Sequence, residues 1–244
     1  MIIITCTATI RPKILEATLK SFKELLFKDH PCRLIINIDP VGEAIDRKVL
    51  IELAHSYFNN MRFGLPLKAH FGRAFVWTWD MAMTFKDVEY LFHLEDDWQL
   101  QKEVDLQEML SLMEKHEDLV GLRLSSKKTE DRAKQWNKFF PWNGEFFECP
   151  ENMRGGLGMS GHPTLYKASF IKKIYQHLNP ERNPEKQLHY TKAIATEVKK
   201  HRFGVFAKQN ESAYIREIGE KWKIEKGIRK DGGNKAYFVN WKHV

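Results

Sequence analysis

The stretch Tyr90–Asp97, with the sequence YLFHLEDD, decides the fold of this chain. Its first five residues form a largely apolar run, which is typical of a strand buried inside a parallel sheet. Three carboxylates, Glu95, Asp96 and Asp97, follow that run without a break. Ligands of open α/β sheets bind beyond the carboxyl ends of the strands, so this position predicts a functional site.

Two other apolar runs precede this stretch, and polar residues follow each of them. Ile2–Thr7 predicts a first buried strand that leads into the segment Thr7–Arg11, and Leu34–Ile38 predicts a second strand that ends at Asp39. The carboxyl ends of parallel strands share one edge of a sheet. We therefore expect these polar residues and the acidic cluster to lie together.

The remaining pattern alternates helices with strands through the first hundred residues, which predicts a parallel sheet with helices on both faces. The second half is less regular. Helices are predicted after Pro12 (with Leu15, Leu19, Phe22 and Leu26 at helical spacing) and over Ala44–Phe58, Phe75–Phe85, Leu106–Lys115, Leu165–Leu178 and Thr191–Lys200, and strands near Leu67 and over Leu119–Leu124 and Phe203–Ala207.

The composition is that of a soluble globular protein with a basic surface. The chain has 244 residues, of which 43% are hydrophobic, and a formal net charge of +7, which favours anionic partners. Its three cysteines, Cys6, Cys32 and Cys149, are widely spaced and form no CxxC pair, which argues against a disulfide framework or a cysteine zinc site. Neither a membrane-spanning run nor a signal peptide is evident, so a cytoplasmic location is expected.

The acidic cluster Glu95–Asp97 has the chemistry of a metal site. Carboxylate oxygens are hard ligands that suit Mg²⁺ or Mn²⁺, which keep several waters and bridge to substrate phosphates. The alternative is a solvated turn that caps a helix, and the position directly after a buried strand disfavours it.

At this point the chain resembles the GT-A glycosyltransferases, especially the large inverting family 2. The segment Thr5–Pro12, followed by Leu15, Thr18, Leu19 and Ser21, is similar to the opening strand and helix of that family. Gly72-Arg73 and Trp79–Ala82 resemble the helix before its metal motif, and Glu95–Asp97 matches its Asp-x-Asp motif. The likeness covers roughly the first hundred residues.

The resemblance implies an α/β fold of the GT-A (Rossmann-like) type, with a mostly parallel sheet flanked by helices and a smaller α+β region on the acceptor side. It implies one domain over residues 1–244, in which 1–100 bind the donor and 101–244 the acceptor. The expected donor is a nucleotide-sugar, with UDP-sugars favoured, and the expected metal is Mn²⁺ or Mg²⁺. Asp97, with Asp96 or Glu95, would bind the metal, and the residues that would bind the nucleotide are Thr7, Ala8, Arg11, Asp39, Arg73 and Asp96.

An inverting transferase needs a general base near the acceptor hydroxyl. In family 2 an acidic pair at the head of a late helix usually supplies it, and Glu185 is the only carboxylate at the matching place, Asn183–Gln187. His162 and Glu151 are the other candidates for the base, and a retaining mechanism also fits. The segment Ser160–Pro163 resembles the family's loop around the donor sugar and the acceptor.

The segment Tyr214–Trp222 resembles a late loop of GT-A enzymes, where a His commonly completes the metal shell. Glu217 stands where that His would fall, and is a candidate metal ligand. Arg216, Lys221 and Lys223 are candidate contacts to the diphosphate, since cations stabilise charge on a leaving group. The alternative is an exposed amphipathic segment.

The acceptor prediction depends on basic and aromatic residues in the second half, which could contact phosphates and stack on bases. The pattern is similar to phage transferases that place sugars on hydroxymethylated pyrimidines in DNA, and the alternative is a bacterial transferase for surface polysaccharide or lipid-linked glycans. The residues are Lys127, Lys128, Lys134, Lys138, Arg154, Lys167, Lys172, Lys173, Lys199, Lys200, Arg202, Lys221, Lys223, Arg229, Lys230 and Lys235, with Trp136, Phe139, Phe140, Trp142, Trp222, Tyr237 and Trp241.

Three other functions agree less well with the sequence. Gly156–Gly161 satisfies GxGxxG, but neither a preceding strand nor a following Rossmann helix is predicted around it. A nucleotidyltransferase usually has a glycine-rich loop after its first strand, whereas Ala8–Pro12 has no glycine. A non-catalytic nucleic-acid-binding protein would explain the basic charge but not the acidic cluster, which repels DNA unless a metal neutralises it.

Overall fold

A mixed sheet of eight strands forms the centre of the computed structural model, which describes residues 1–126, 140–231 and 240–243. Its spatial strand order is β3-β2-β1-β4-β8-β6-β9-β7, and the other four strands form two small ribbons, β5 with β10 and β11 with β12. The strands are β1 (Ile2–Ile10), β2 (Cys32–Gly42), β3 (Met61–Gly64), β4 (Tyr90–Glu95), β5 (Trp98–Leu100), β6 (Leu119–Leu124), β7 (Phe147–Glu148), β8 (Thr164–Lys167), β9 (Arg202–Phe206), β10 (Ile215–Glu217), β11 (Ile228–Asp231) and β12 (Asn240–His243).

Helices flank this sheet, as the sequence predicts. Strands β3, β2, β1 and β4 are parallel, and β8 runs antiparallel between β4 and β6. The carboxyl ends of β1, β2, β4, β6 and β9 consequently share one edge. The α-helices are α1 (Pro12–Leu25), α2 (Lys48–Tyr57), α3 (Phe71–Met83), α4 (Leu106–Lys115), α5 (Ala168–Ile174), α6 (Pro184–Tyr190), α7 (Lys192–Val198) and α8 (Glu220–Glu225).

Successive side chains of strand β4 point to opposite faces of the sheet, and a helix covers each face. On one face the ring of Phe92 packs against Phe22 of α1, with 5.7 Å between the ring centroids. On the other face the ring of His93 lies 4.9 Å from that of Phe75 and 6.0 Å from that of Trp79, both on α3. The acidic cluster thus follows a strand that is buried between two helices.

Several element boundaries differ from the predicted ones. Helix α2 begins at Lys48 and not at Ala44, because the Asp46 carboxylate accepts a hydrogen bond from the Lys48 N–H at 2.9 Å. The third strand ends at Gly64, so Leu67 lies beyond it and is 93% exposed. Helix α3 begins at Phe71 and not at Phe75, since the side chain of His70 caps its first turn.

The predicted helix over Leu165–Leu178 was wrong in its first part. Thr164–Lys167 is strand β8, which pairs with β4 and β6, and helix α5 begins only at Ala168. A buried strand between two neighbours is apolar on both faces, so its pattern merges with the apolar stripe of the following helix.

The ribbon of β5 and β10 brings a late segment of the chain next to the acidic cluster. Trp98 of β5 pairs with Glu217 of β10, and Leu100 pairs with Ile215. Strand β5 starts directly after Asp97. The predicted late loop is therefore anchored beside the acidic residues.

Among the described helices none has the length and apolarity that a bilayer crossing needs.

Part of the basic and aromatic set lies outside the described residues. The backbone is described at Arg229, Lys230 and Trp241, but their side chains are not, and the residues wholly outside are Lys127, Lys128, Lys134, Trp136, Lys138, Phe139, Lys235 and Tyr237.

Candidate functional site

Asp96 is buried against the loop that follows β1. Its Oδ2 accepts hydrogen bonds from the Thr9 N–H at 2.9 Å and from Arg11 Nε at 3.2 Å, and its Oδ1 accepts another from Arg11 Nη2. Its backbone carbonyl accepts a hydrogen bond from Thr18 Oγ1 at 2.7 Å. These contacts hold the acidic turn against β1 and α1, so Asp96 contributes to the shape of the site through internal contacts.

Arg11 is a buried cation that joins two of the three carboxylates. Besides Asp96, it donates from Nη1 to Asp97 Oδ2 at 3.4 Å. Burial alone would lower the pKa of Arg11, but the charges of Asp96 and Asp97 outweigh it and raise the pKa above its usual value. The indole ring of Trp222 covers the guanidinium at 5.3 Å from the ring centroid. Arg11 was predicted to contact the nucleotide, but its guanidinium N–H groups donate hydrogen bonds to carboxylates instead.

Asp97 lies where the early and late parts of the chain meet. Its Oδ2 is 3.3 Å from Lys223 Nζ, and the same ammonium is 3.3 Å from Glu217 Oε1. The backbone N–H of Ile218 donates to the Asp97 carbonyl at 2.8 Å. The structure therefore brings together Asp97 and Glu217, two of the three predicted metal ligands, which lie far apart in the sequence.

A pocket opens at this edge of the sheet, between the loop after β1, the end of β2, the start of α3 and the acidic turn. It is polar on the side of the turn, and Phe71 and Ala74 supply its apolar side. Most of the residues that were predicted to bind the nucleotide and the metal line this pocket. They are Thr7, Ala8, Arg11, Asp39, Glu95, Asp96 and Asp97.

A second cavity, of about 440 Å³, adjoins the first pocket. The two share Asp39 and Ala74, so they adjoin each other at this edge of the sheet, and we call the two together the groove. Its lining includes the indole of Trp77 and the buried amide of Asn37, whose Oδ1 has no hydrogen-bond partner among the described residues. Asp39 Oδ2 accepts a hydrogen bond from the His70 N–H at 3.1 Å, which fixes the carboxylate at the junction.

Sequence reasoning missed Asn37 and Trp77. The alternation of side chains along a strand was an available signal, because Asn37 precedes Asp39 by two residues and so points to the same face. Arg73, which was predicted, also lines the second cavity, and its Nε donates to Glu181 Oε1 at 2.7 Å.

Glu185 lies on the first turn of α6, which Asn183 caps. A Cβ atom built on Gly161 would be 3.2 Å from Glu185 Oε1, so the carboxylate lies against the Ser160–Pro163 loop. In the same loop, the His162 ring is 4.9 Å from the ring of Trp98, the residue after Asp97. The predicted base is thus linked to the acidic turn through one loop, whereas Glu151 lies in an exposed 3₁₀ turn.

Two predicted diphosphate contacts are not brought into this cluster. Arg216 is exposed on β10 and donates to Gln99 Oε1 at 3.2 Å, on the opposite side of the strand from Glu217. Lys221 is exposed on α8, with Glu225 3.7 Å away. Lys223, two residues further along, makes the contacts to the acidic residues instead.

The residues at the acidic turn fit a divalent cation only in part. Asp97 and Glu217 offer hard oxygen ligands around one position, which the Lys223 ammonium occupies, and Glu95 lines the adjoining pocket. Within residues 1–126 and 140–227 no three His, Cys, Asp or Glu side chains are grouped closely enough to hold an ion alone. Mg²⁺ and Mn²⁺ tolerate such a site because water and substrate phosphates supply the other ligands.

No family model matches the sequence, and a search of curated proteins finds no match. Solved structures do match. Residues 1–349 of S. aureus TarS superpose with a TM-score of 0.59 at 11% identity, over 92% of this chain and 63% of that one. The complex of the same protein with UDP-GlcNAc gives a TM-score of 0.57 at 11% identity, over 89% and 58% of the two chains.

The mannosyltransferase PcManGT from Pyrobaculum calidifontis, in complex with GDP-Man and Mn²⁺, is also similar. Its TM-score is 0.57 at 8% identity, over 93% of this chain and 60% of the other. The chain thus spans less than two thirds of the length of these structures. At such identities the likeness concerns architecture, and it shows that this chain has the fold of GT-A glycosyltransferases.

Proposed function

We propose that this chain is a metal-dependent glycosyltransferase that moves a sugar from a nucleotide-sugar to an acceptor hydroxyl. The observation that carries the proposal is the groove of two adjoining pockets from the Asn37–Trp77 cavity, past Asp39, to Asp97. In this proposal the base lies at the Asn37–Trp77 end, the diphosphate over the acidic turn and the metal at its carboxylates. Fold neighbours solved with UDP-GlcNAc and with GDP-Man and Mn²⁺ support the same class of ligand.

The base would occupy the second cavity. Trp77 offers an aromatic surface, and Asp39 and Asn37 offer an acceptor and an amide that can donate or accept. Uracil presents an N–H beside a C=O, which this pair complements, and guanine presents the same arrangement. These contacts suit both bases; we propose a UDP-sugar as the donor, with a GDP-sugar as the competing candidate.

The diphosphate would lie over the acidic turn, with Thr7 and Ala8 along the wall of the pocket. Asp97 and Glu217 would hold Mn²⁺ or Mg²⁺, with Glu95 beside them, and the metal would neutralise charge on the departing diphosphate. Arg11 keeps the turn in shape, and Lys223 supplies a second positive charge beside Asp97 and Glu217. Neither Arg216 nor Lys221 is needed in this arrangement.

Glu185 is the proposed general base when the reaction inverts the sugar configuration. Its carboxylate would take the proton from the acceptor hydroxyl while the acceptor oxygen bonds to the anomeric carbon and the bond from that carbon to the diphosphate breaks. The neighbouring His162 belongs to the same loop and is the second candidate for this role.

For the acceptor we propose a hydroxymethylated pyrimidine in phage DNA, a reaction of the cytoplasm, with a surface polysaccharide or lipid-linked glycan as the alternative. The net charge of +7 supports an anionic acceptor of either kind. Mass spectrometry of hydroxymethylated DNA incubated with the protein, Mn²⁺ and a UDP-sugar tests the first proposal. A hexose-sized mass increase supports it, and unmodified DNA beside a modified glycan acceptor rejects it.

A thermal-shift screen tests the proposed donor. UDP, GDP, ADP and CDP are each added with Mn²⁺ or with EDTA to the wild-type protein and to Asp97→Ala. We expect UDP with Mn²⁺ to raise the melting temperature, and Asp97→Ala to lose the effect. The matched control is Asp80→Ala, which removes an exposed carboxylate on α3 and should respond as the wild type does.

Two results would change this proposal. An upshift with GDP alone would reassign the base. No shift with any nucleotide, beside a clear shift with DNA, would favour the non-catalytic nucleic-acid-binding protein.

A further inference from the structure

Another cavity, of about 390 Å³, lies near the edge of the sheet that is formed by β7, whereas the groove lies near the β3 edge. Its walls are helix α4, the turn that leads into β7 and the segment after β9. The volume falls within the range of sites that hold a small molecule. No described residue lines both this cavity and the groove, so the two are separate candidate sites.

Helix α4 turns one polar face to this cavity. Glu108, Ser111 and Lys115 all line it, and their spacing of three and four residues places them on one side of the helix. Leu112, on the same face, is 7% exposed and closes the cavity towards the core. The helix therefore offers hydrogen-bonding groups on an apolar base.

The turn before β7 holds an aromatic ring at the cavity. Asn143 Oδ1 accepts hydrogen bonds from the N–H groups of Glu145 and Phe146, both at 3.0 Å, which fixes the turn. The ring of Trp142 packs 5.1 Å from the ring of Phe147, is partly exposed and lines the cavity. The indole is thus held in place with part of its surface free for a ligand.

The charges around the cavity balance. Lys115 Nζ is 2.7 Å from Glu145 Oε1, and Lys208 Nζ is 3.9 Å from Glu108 Oε2. Glu145 Oε2 is also 2.8 Å from His116 Nε2, so this carboxylate is held from two sides. Because two ammonium groups face two carboxylates, the lining has no excess positive charge with which to bind a phosphate.

We propose that this cavity is a binding subsite for one uncharged sugar unit of a glycan. The C–H face of a sugar ring can lie against the indole of Trp142, whose π face carries partial negative charge. Hydroxyl groups both donate and accept hydrogen bonds, so they match the carboxylates and the ammonium groups of the rim. The inference goes beyond the proposed function and does not depend on it.

The charge balance separates this ligand from nucleic acid. A base would also stack on an indole, but nucleic-acid sites bind the phosphate backbone with cations that neutralise it. Here Glu108 and Glu145 would repel that backbone. Trp142 belongs to the aromatic residues that the sequence predicts for acceptor binding, and its surroundings favour a sugar over a base.

Fluorine NMR of the protein with fluorotryptophan in place of tryptophan tests this proposal. The resonance of Trp142 is the one that disappears in Trp142→Phe. Maltotriose, mannotriose and chitotriose are each titrated without metal or nucleotide. We expect at least one of them to shift the Trp142 resonance with a dissociation constant on the order of 1 mM, as expected for a single-unit site.

A variant that fills the cavity locates the binding. Ser111→Phe places a ring in the cavity from an exposed position on α4 and should abolish the shift. The matched control is Gln107→Phe, which puts the same ring at an exposed position of α4 outside the cavity and should bind as the wild type does. Circular dichroism checks that both are folded, and Ser111→Met replaces Ser111→Phe if it is not.

Three results would overturn the inference. They are an unshifted Trp142 resonance with all three sugars up to about 50 mM, well above the expected dissociation constant, an equal shift in folded Ser111→Phe, and a shift with single-stranded oligothymidylate in place of the sugars. The titrations contain neither nucleotide nor metal, so their failure leaves the proposed function to its own thermal-shift test.

Discussion

Arg11 is the residue on which the shape of the acidic turn depends. Its guanidinium compensates Asp96, which is 3% exposed and has no other cation within contact distance among the described residues. Removing one partner of a buried ion pair leaves a charge that is neither solvated nor paired. Arg11 therefore stabilises the fold before any ligand binds.

Arg11→Met should lower the free energy of unfolding by about 3 kcal/mol, the usual cost of breaking a buried pair from one side. Urea denaturation at neutral pH measures this loss. Lys13→Met, the same type of change at an exposed position on α1, should cost less than about 0.5 kcal/mol. Equal stabilities of the two variants would show that Asp96 does not need its partner.

The sequence predicts those site residues that directly follow an apolar strand. Asp39 and the Glu95–Asp97 cluster are of this kind, because the end of a buried run marks the edge of the sheet. Asn37 lies within such a run, and the only local signal was its place two residues before Asp39, on the same face of the strand. Lys223 was predicted as a phosphate contact, but its position between two carboxylates depends on the pairing of β5 with β10.

At the scale of elements, the junction between α3 and the segment before α6 positions Glu185. A Cβ atom on Gly72 would lie 2.5 Å from the backbone oxygens of both Pro180 and Arg182, so the helix approaches this segment at a glycine. Salt bridges from His70 and Arg73 to Glu181 join the same two elements. Helix α3, which lines the groove, is thus packed directly against the segment that leads into the helix of Glu185.

Gly72→Ala should strain this junction and lower the melting temperature by roughly 3 °C or more, since overpacking costs about 1–3 kcal/mol. Gly156→Ala is the matched control, because a Cβ atom there meets nothing within 4 Å. Differential scanning calorimetry compares the two variants. Equal melting temperatures would mean that the junction adjusts without cost.

Elements with a clear local pattern were predicted well, and those with an ambiguous pattern were not. The bounds of α4 and β6 match the predicted Leu106–Lys115 and Leu119–Leu124, because polar residues separate their apolar stripes from the flanking chain. Strand β8 was missed because it lies between two neighbouring strands and leads straight into α5. Its identity depends on those neighbours, which are distant in sequence.

At the scale of the whole molecule, the core contains a histidine that is uncharged in the folded state at neutral pH. Burial lowers the pKa of His93 to about 3, and the ring is enclosed by Phe75, Trp79 and Thr5. The unfolded histidine has a pKa of about 6.5. Below that pH the unfolded chain binds a proton that the native protein does not, so stability falls as the pH falls.

This difference predicts a pH effect that one substitution removes. Between pH 7.5 and 5.5, His93 should account for about 1.4 kcal/mol of lost stability. In His93→Phe, the free energy of unfolding should therefore change by about 1.4 kcal/mol less over this interval than in the wild type. Urea denaturation at the two pH values measures it, with the same substitution at the exposed His55 as the control. Identical pH dependence in His93→Phe and the wild type would contradict the assignment.

The central claim is that the groove from Asn37 to Asp97 binds a nucleoside diphosphate together with a divalent metal. Calorimetric titration of UDP into the wild-type protein, once with Mn²⁺ and once with EDTA, tests this claim most directly. We expect binding that is at least about 10-fold tighter with Mn²⁺, as metal-coupled sites show. Equal affinities with Mn²⁺ and EDTA, or no binding of UDP and GDP in either condition, would contradict the account.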